Sequence, residues 1–432
     1  MDPVQLPQEE VLSLIVGQLA SYGYSQLAQL VAEQTGITID LMPNNKLSEW
    51  LYLGKEQYSD YDDDDNRSIE DINGQDYKAE DIESKDNLLD NVADQSIAPK
   101  PLPYYQQLYY TQHRGPCRTA AFSRDGRLAA TGSADSTIKV LDVGRMKRKS
   151  DDNEKPVIRT FYDHTAPIKD VSFHPNGAVL ASCSEDMTIK LFDLKKKGTK
   201  RSFRHIQESH TPNSIHFHPS GDYLVSGTDD VVARIYDVKT MQCYIPSTSR
   251  IDSHQGPINY VRYSHNGATF ITASSDGSVK LWDTVSGRCV RTFEHVHKGR
   301  PVSSAQISKN GKYVLTAGKD STVRLWEVAT GRSMLEYVGG KHSRESLRVA
   351  FTWNEDYVLA GDDSSNSVFC WDARTGVFLK RVQGFNNTVR CIATSPVDGG
   401  FLACSEDFRA RYFVLSTGPD AGPGGESSVK DT

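Results

Sequence analysis

Five times along the chain a histidine is followed 20 to 23 residues later by an aspartate, and a hydroxyl side chain stands four residues before that aspartate. The sets are His113, Thr131 and Asp135; His164, Ser182 and Asp186; His210, Ser226 and Asp230; His254, Thr272 and Asp276; and His297, Thr316 and Asp320. Imidazole, hydroxyl and carboxylate are the parts of a nucleophilic triad, in which the histidine draws the proton from the hydroxyl and the carboxylate orients the ring. Such a reaction needs one set, not five near-copies at one spacing. Repetition of this kind points to a structural unit written several times, so the elements that carry the sets come first.

Each set ends on an alternating strand closed by an aromatic or aliphatic residue and an acid: Leu141-Asp142, Phe192-Asp193, Tyr236-Asp237, Trp282-Asp283, Trp326-Glu327 and Trp371-Asp372, with a degenerate seventh at Phe413-Val414. The first six pairs recur every 44 to 51 residues, the longest interval holding the insertion "VGRMKRKSDDNEKP". Before the turn aspartate lie "FSRDGRLAATGS", "FHPNGAVLASCS", "FHPSGDYLVSGT", "YSHNGATFITAS" and "ISKNGKYVLTAG". Each reads as a strand end, a hairpin turn and a second alternating strand. A period near 45 with a Trp-Asp close predicts a four-stranded propeller blade.

This grammar resembles that of WD-repeat propellers, whose blades join His, Ser or Thr, Asp and Trp in a buried hydrogen-bonded chain. The resemblance implies that the five sets, with Trp282, Trp326 and Trp371, hold loops rather than perform chemistry. The fourth and fifth sets are complete; the first three carry Leu141, Phe192 and Tyr236 where the indole would stand. The sixth repeat, from His342, and the seventh, "TVRCIATSPVDGGFLACSEDFRARYF", are weaker, and the seventh supplies only three strands. "YYQQLYYT" (104–111) alternates like an outer strand and is expected to close the ring, removing exposed edges. The expected fold is all-β: a seven-bladed WD-repeat propeller over 100–416, preceded by a small helical domain.

In that domain, residues 1–56, helical spacing runs through Val11, Leu12, Ile15 and Leu19, breaks at Tyr22-Gly23-Tyr24, and resumes at Leu27, Leu30 and Val31, with a third segment near 46–56. Three short helices bury little core alone, so self-association is expected. The pattern resembles the dimerisation motif called LisH, which implies that Leu12, Ile15, Leu19, Tyr22, Leu27 and Leu30 pair two copies. Residues 57–99 read as an acidic disordered linker: 56–94 carry 15 acidic and 3 basic side chains. Residues 1–55 carry 6 and 2, which leaves the long C-terminal part basic. Residues 417–432 read as a Gly-rich disordered tail.

No apolar stretch approaches a membrane span, and the acidic N-terminus lacks a signal-peptide pattern. Seven cysteines without CxxC spacing suggest a reducing compartment and small buried hydrophobes. There is no P-loop, HExxH or nucleophile elbow. His205, His210, His216 and His218 crowd together, but His210 is the repeat histidine and His218 belongs to "FHPSG". No enzyme activity, metal or cofactor is expected.

Three basic features suit partner binding. "RMKRK" (145–149, with Lys147 and Arg148) and "KKKGTKR" (195–201, with Lys195, Lys196 and Lys197) both follow a strand close, so they should share one face. Arg118, Lys169 and Arg390 begin the innermost strands of blades one, two and seven and should form a basic sector on the other face. Arg409 replaces the Thr or Ser found at 137, 188, 278 and 322, and Arg411 follows it.

The first repeat, "PVIRTFYDH", "RIYDVKTMQC", "CWDARTG" and "SEDFRARYF" together resemble the WD-repeat subunits of the cleavage stimulation factor, well over 105–415 and less over 1–56. Phe413, where that family favours Trp, and the Gly-rich tail depart from it. The resemblance implies a nuclear scaffold in pre-mRNA 3′-end cleavage and polyadenylation. It implies homodimerisation through the N-terminus, docking of the helical-repeat subunit on the propeller and indirect linkage to the RNA-binding subunit. Contact with the RNA polymerase II C-terminal domain is a further implication; membrane binding and direct sequence-specific RNA recognition are not expected. The alternative is a substrate receptor of a cullin-type ubiquitin ligase, since Trp371–Arg374 fits the Trp-Asp-x-Arg element of such receptors.

Overall fold

A computed structural model describes residues 100 and 102–416, apart from 149–154, 197, 247–248, 250–251 and 345–346. The expected helical domain with its dimerisation residues, the acidic linker, the tail and Lys197 lie outside the described residues.

The described residues form seven four-stranded antiparallel sheets. Seven strands lie innermost: Cys117–Phe122, Ile168–Phe173, Pro212–Phe217, Ile258–Tyr263, Val302–Ile307, Val349–Phe351 and Val389–Thr394. Six sheets are contiguous in sequence. In the seventh, the first strand of the propeller, Tyr104–Gln112, pairs with the last, Arg409–Ser416, so blade seven joins both ends of the ring. Its register runs from Tyr104 opposite Ser416 to Gln112 opposite Arg409, with one irregularity between Gln107 and Tyr109. Tyr105 packs edge-on against Phe401 at 4.9 Å, which anchors the strand through an apolar face.

The local chemistry explains the hairpins. Ser123 Oγ donates to Asp125 Oδ1 at 2.6 Å and accepts from the Leu128 amide at 2.9 Å, which closes the "SRDGRL" turn. Ser308 and Asn310 repeat the arrangement at 2.6 Å in blade five. The second strand of each blade sits between two neighbours in its own sheet and between two blades, so it is buried on both faces. That burial accounts for runs such as "LAATGS" and "TFITAS". Small residues there make room: a Cβ on Gly132 would meet Ile168 Cγ2 of the next blade at 2.6 Å, and one on Gly318 would meet Cγ of its own blade's His297 at 2.1 Å. Phe270 stacks on Trp282 and Phe369 on Trp371, so the aromatic closes are core. Cys243, unlike five of the other cysteines, is exposed. No described helix is long and apolar enough to cross a membrane.

Candidate protein-docking faces and the networks that shape them

Four of the five histidine sets assemble as hydrogen-bonded chains. His164 Nε2 lies 2.7 Å from Ser182 Oγ and its Nδ1 lies 2.8 Å from Asp186. His254 meets Thr272 at 2.6 Å and Asp276 at 3.1 Å, and the Trp282 indole donates to Thr272 at 2.9 Å. His297 meets Thr316 at 2.9 Å and Asp320 at 2.8 Å, and the Trp326 indole donates to Thr316 at 3.1 Å. In blade one, His113 reaches Thr131 at 2.9 Å and Thr137 at 3.1 Å, with Asp135 at 3.5 Å. The four hydroxyls are fully buried, so no substrate can reach them.

Burial pushes the Asp320 carboxyl up, but hydrogen bonds from His297 and Thr322 outweigh it and hold the group at about 2. Burial opposes the same trend at Asp135, Asp186 and Asp276, where the histidine and hydroxyl donors again win and hold the carboxyls well below the usual range. Asp135, Asp186 and Asp276 also accept a backbone amide of the adjoining loop, from Arg114, Thr165 and Gln255. The chain thus fixes the loop that leads into each inner strand.

Three expectations need correction. In blade three, His210 is 51% exposed at its side chain and lies 3.8 Å from Asp230, and the buried Ser226 Oγ has no partner. Arg234 has displaced it, donating to Asp230 at 2.9 Å and to Thr228 at 2.9 Å. In blade six, the Trp371 indole donates to the Val338 carbonyl at 2.9 Å. Ala360, opposite Phe369, occupies the place that Thr316 holds opposite Arg324, so there is no hydroxyl to receive it. His342 is consequently buried with neither ring nitrogen bonded. Arg411 is not a partner-facing residue: it is buried, binds Asp407 through two bonds of 3.0 and 2.7 Å, and lies over the Phe385 ring. Blade seven has no repeat histidine, and Arg411 fills that space.

The remaining basic residues fall on two faces. Arg118 and Lys169 both pair with Glu185, at 2.7 and 3.0 Å, and Arg390 pairs with Glu406. Their charge at this mouth of the channel is therefore partly balanced. On the opposite face, where inner strands end, Lys147 lies in the short helix Val143–Lys147 and pairs with Asp398 in the adjoining blade. Arg148, Lys195 and Lys196 are exposed on the same side. Arg409 is half-buried with its guanidinium over Tyr110 at 5.0 Å.

Sequence reasoning missed the waist of the channel. Asp170 has no exposed side chain and accepts from Arg348 at 2.6 Å, Arg262 at 3.0 Å, Thr119 at 2.9 Å and Ser214 at 2.7 Å. Both guanidinium groups lie over Tyr260, at 4.2 and 5.1 Å. Burial pushes the Asp170 carboxyl up, but the two arginines hold it well below the usual carboxylate range. This cluster ties blades one, two, three, four and six across the axis. The third residues of the inner strands, read as a column, carry the signal: Thr119, Asp170, Ser214 and Tyr260 align there, with Arg348 just before the short sixth strand.

A closed ring of seven blades with these networks defines a WD-repeat propeller. The WD domain, G-beta repeat, matches residues 105–142, 155–193, 201–237, 246–283 and 287–327. A protein of Arabidopsis thaliana named cleavage stimulation factor subunit 50 is 37% identical over 413 residues, covering 94% of this chain and 95% of that protein. COMPASS component SWD3 of Saccharomyces cerevisiae is 29% identical over 193 residues, 44% of this chain and 58% of its own. Pre-mRNA-processing factor 19 of Oryza sativa is 31% identical over 196 residues, 45% of this chain and 35% of its own. The chain belongs to the family of WD-repeat cleavage stimulation factor subunits.

Proposed function

We propose that this protein is a nuclear, non-enzymatic scaffold of pre-mRNA 3′-end cleavage and polyadenylation. The supporting observation is the reach of the likeness. Identity of 37% runs over 94% of the chain, whereas the other relatives compared either cover less than half of it or, where they cover 61–75%, fall to 22–27% identity. In this reading residues 1–56 pair two copies, and the propeller docks the helical-repeat subunit of the factor, which brings in the RNA-binding subunit. The tail of RNA polymerase II is a further contact. A disc whose hydroxyls are buried and whose faces are held by internal hydrogen bonds offers rigid surface rather than a reacting group, as a scaffold requires.

The ubiquitin-ligase reading is weaker. Arg374 of the Trp-Asp-x-Arg element has a side chain only 15% exposed and lies 4.0 Å from Asp356, and Asp372 is buried. Little of that element is left to meet an adaptor.

Purification from nuclear extract separates these readings. Full-length chain and residues 100–432 should both recover the helical-repeat subunit, and only the full chain should be dimeric by light scattering. Recovery of a cullin adaptor instead, or loss of the helical-repeat subunit on removing 1–99, contradicts the assignment.

A further inference from the structure

The inner strands run out into a funnel of about 400 Å³ at the mouth opposite Arg118, Lys169 and Arg390. Its charged lining is uneven: Arg124, Arg262, Lys309 and Arg348 against Glu355 alone. Asp170 answers the two deep arginines from the channel's waist with one carboxylate, which leaves one positive charge unmatched there. The bonding of Arg262 is one-sided. Its contacts to Asp170, Ser214, the Ile215 carbonyl and the Val261 carbonyl all run from Nη1. The Nε–Nη2 edge has no hydrogen-bond partner among the described residues, and that fork matches a planar carboxylate.

The surroundings carry the same sign. Burial and the Arg262 charge push His216, which also lines the funnel, down to about 3. Burial and the charges of Lys309 and Arg124 push down His265 at the mouth. Both rings are therefore neutral near pH 7 and answer no anion, but their depression reports the positive field. At the rim Trp353 is 40% exposed, with the Lys309 ammonium 6.0 Å from its ring and bonded to its carbonyl. Trp353 offers an apolar plate beside a cationic throat.

We propose that this funnel docks an extended acidic peptide of a protein partner, one glutamate or aspartate carboxylate meeting the free Nε–Nη2 edge of Arg262 while a neighbouring aliphatic or aromatic side chain lies on Trp353. One surplus charge at the floor balances one carboxylate; a phosphate dianion would leave a second buried negative charge without a partner, which is costly. A repeating polyanion such as RNA presents charges at regular intervals, whereas this funnel offers one free fork at its base. The exposed Arg148, Lys195 and Lys196 on the same face add long-range attraction for an acidic segment. The inference holds whichever subunit supplies the peptide.

The test uses the full chain and fluorescein-labelled nonapeptide pools with a fixed central residue and varied aliphatic or aromatic flanks. The central residue is glutamate, glutamine or phosphoserine, and polyuridylate is a fourth probe. Anisotropy titration should show the glutamate pool bound, with the glutamine pool at least about tenfold weaker, the size of one charge-assisted hydrogen bond. Arg262→Lys keeps the charge but removes the fork, and should weaken the glutamate pool by about tenfold. Trp353→Ala, at an exposed site, should weaken it several-fold without moving the thermal midpoint, and it carries the test if the arginine variant fails to fold. Equal binding of the glutamate and glutamine pools overturns the proposal. So does glutamate binding indifferent to both substitutions, or tighter binding of the phosphoserine pool or polyuridylate.

Discussion

The same repeat position should give opposite results in blades five and three. Asp320 only accepts, so His297 Nδ1–H donates to it and Nε2 is left as an acceptor. The Thr316 hydroxyl then donates to Nε2 at 2.9 Å and accepts the Trp326 indole at 3.1 Å. Thr316→Val keeps the shape and leaves one buried acceptor and one donor unmet, each worth about 1–3 kcal/mol. Trp326 is partly exposed and can recover some hydration, so the expected loss is about 2–4 kcal/mol. In blade three the equivalent Ser226 Oγ has no partner. Ser226→Ala removes a buried hydroxyl that was never satisfied and should fall within about 0.5 kcal/mol of zero, or stabilise slightly. Urea unfolding at pH 7 measures both, provided the slope is unchanged between variants. Equal losses in the two blades, or a Thr316→Val loss below about 1 kcal/mol, would refute the reasoning that partner satisfaction, not position in the repeat, sets the energy.

Arg411→Ala should cost about 3–5 kcal/mol because it strands a mostly buried Asp407, whereas Arg409→Ala removes only a contact with Tyr110 and should cost under about 1 kcal/mol; the same urea series reads both. The folded-state Asp320 carboxyl stands at about 2, below its ordinary 3.8. Its contribution is therefore complete above about pH 5 and drains as pH falls through 3.8 toward 2, and Asp320→Asn should flatten that part of the stability–pH curve. Burial pushes His342 below its ordinary 6.5, so stability falls as pH drops below that value; His342→Leu should remove this slope and leave stability at pH 7 nearly unchanged. Asp170→Asn leaves two buried guanidinium groups facing a neutral amide and should lower the unfolding free energy by about 3–5 kcal/mol.

The ring was legible in the sequence because its rules are local. A hairpin turn, two alternating strands and an aromatic close recur within one repeat, and the unsupported seventh blade pointed to Tyr104–Thr111 as its missing strand. The networks were legible where every partner was present in its own repeat. They failed where a neighbouring position had changed: Arg234 displaced His210, and Ala360 withdrew the hydroxyl that Trp371 would have used. Arg411 misled because it was read against its chain neighbour Arg409. Read against Lys139, Lys190 and Arg324, which stand at the same place in their blades and reach into preceding loops at Gln112, Asp163 and Val296, it is internal. The Asp170 cluster escaped because its members lie in five different repeats and meet only once the ring is closed.

Closure by the first strand is the claim on which the faces, the channel and the docking surfaces all rest, and hydrogen exchange on the full chain tests it most directly. Amides of 104–112 that face Arg409–Ser416 should be protected to the same degree as those of the last strand, and both should open together. Exchange of 104–112 at free-peptide rates while the blades stay protected would contradict it.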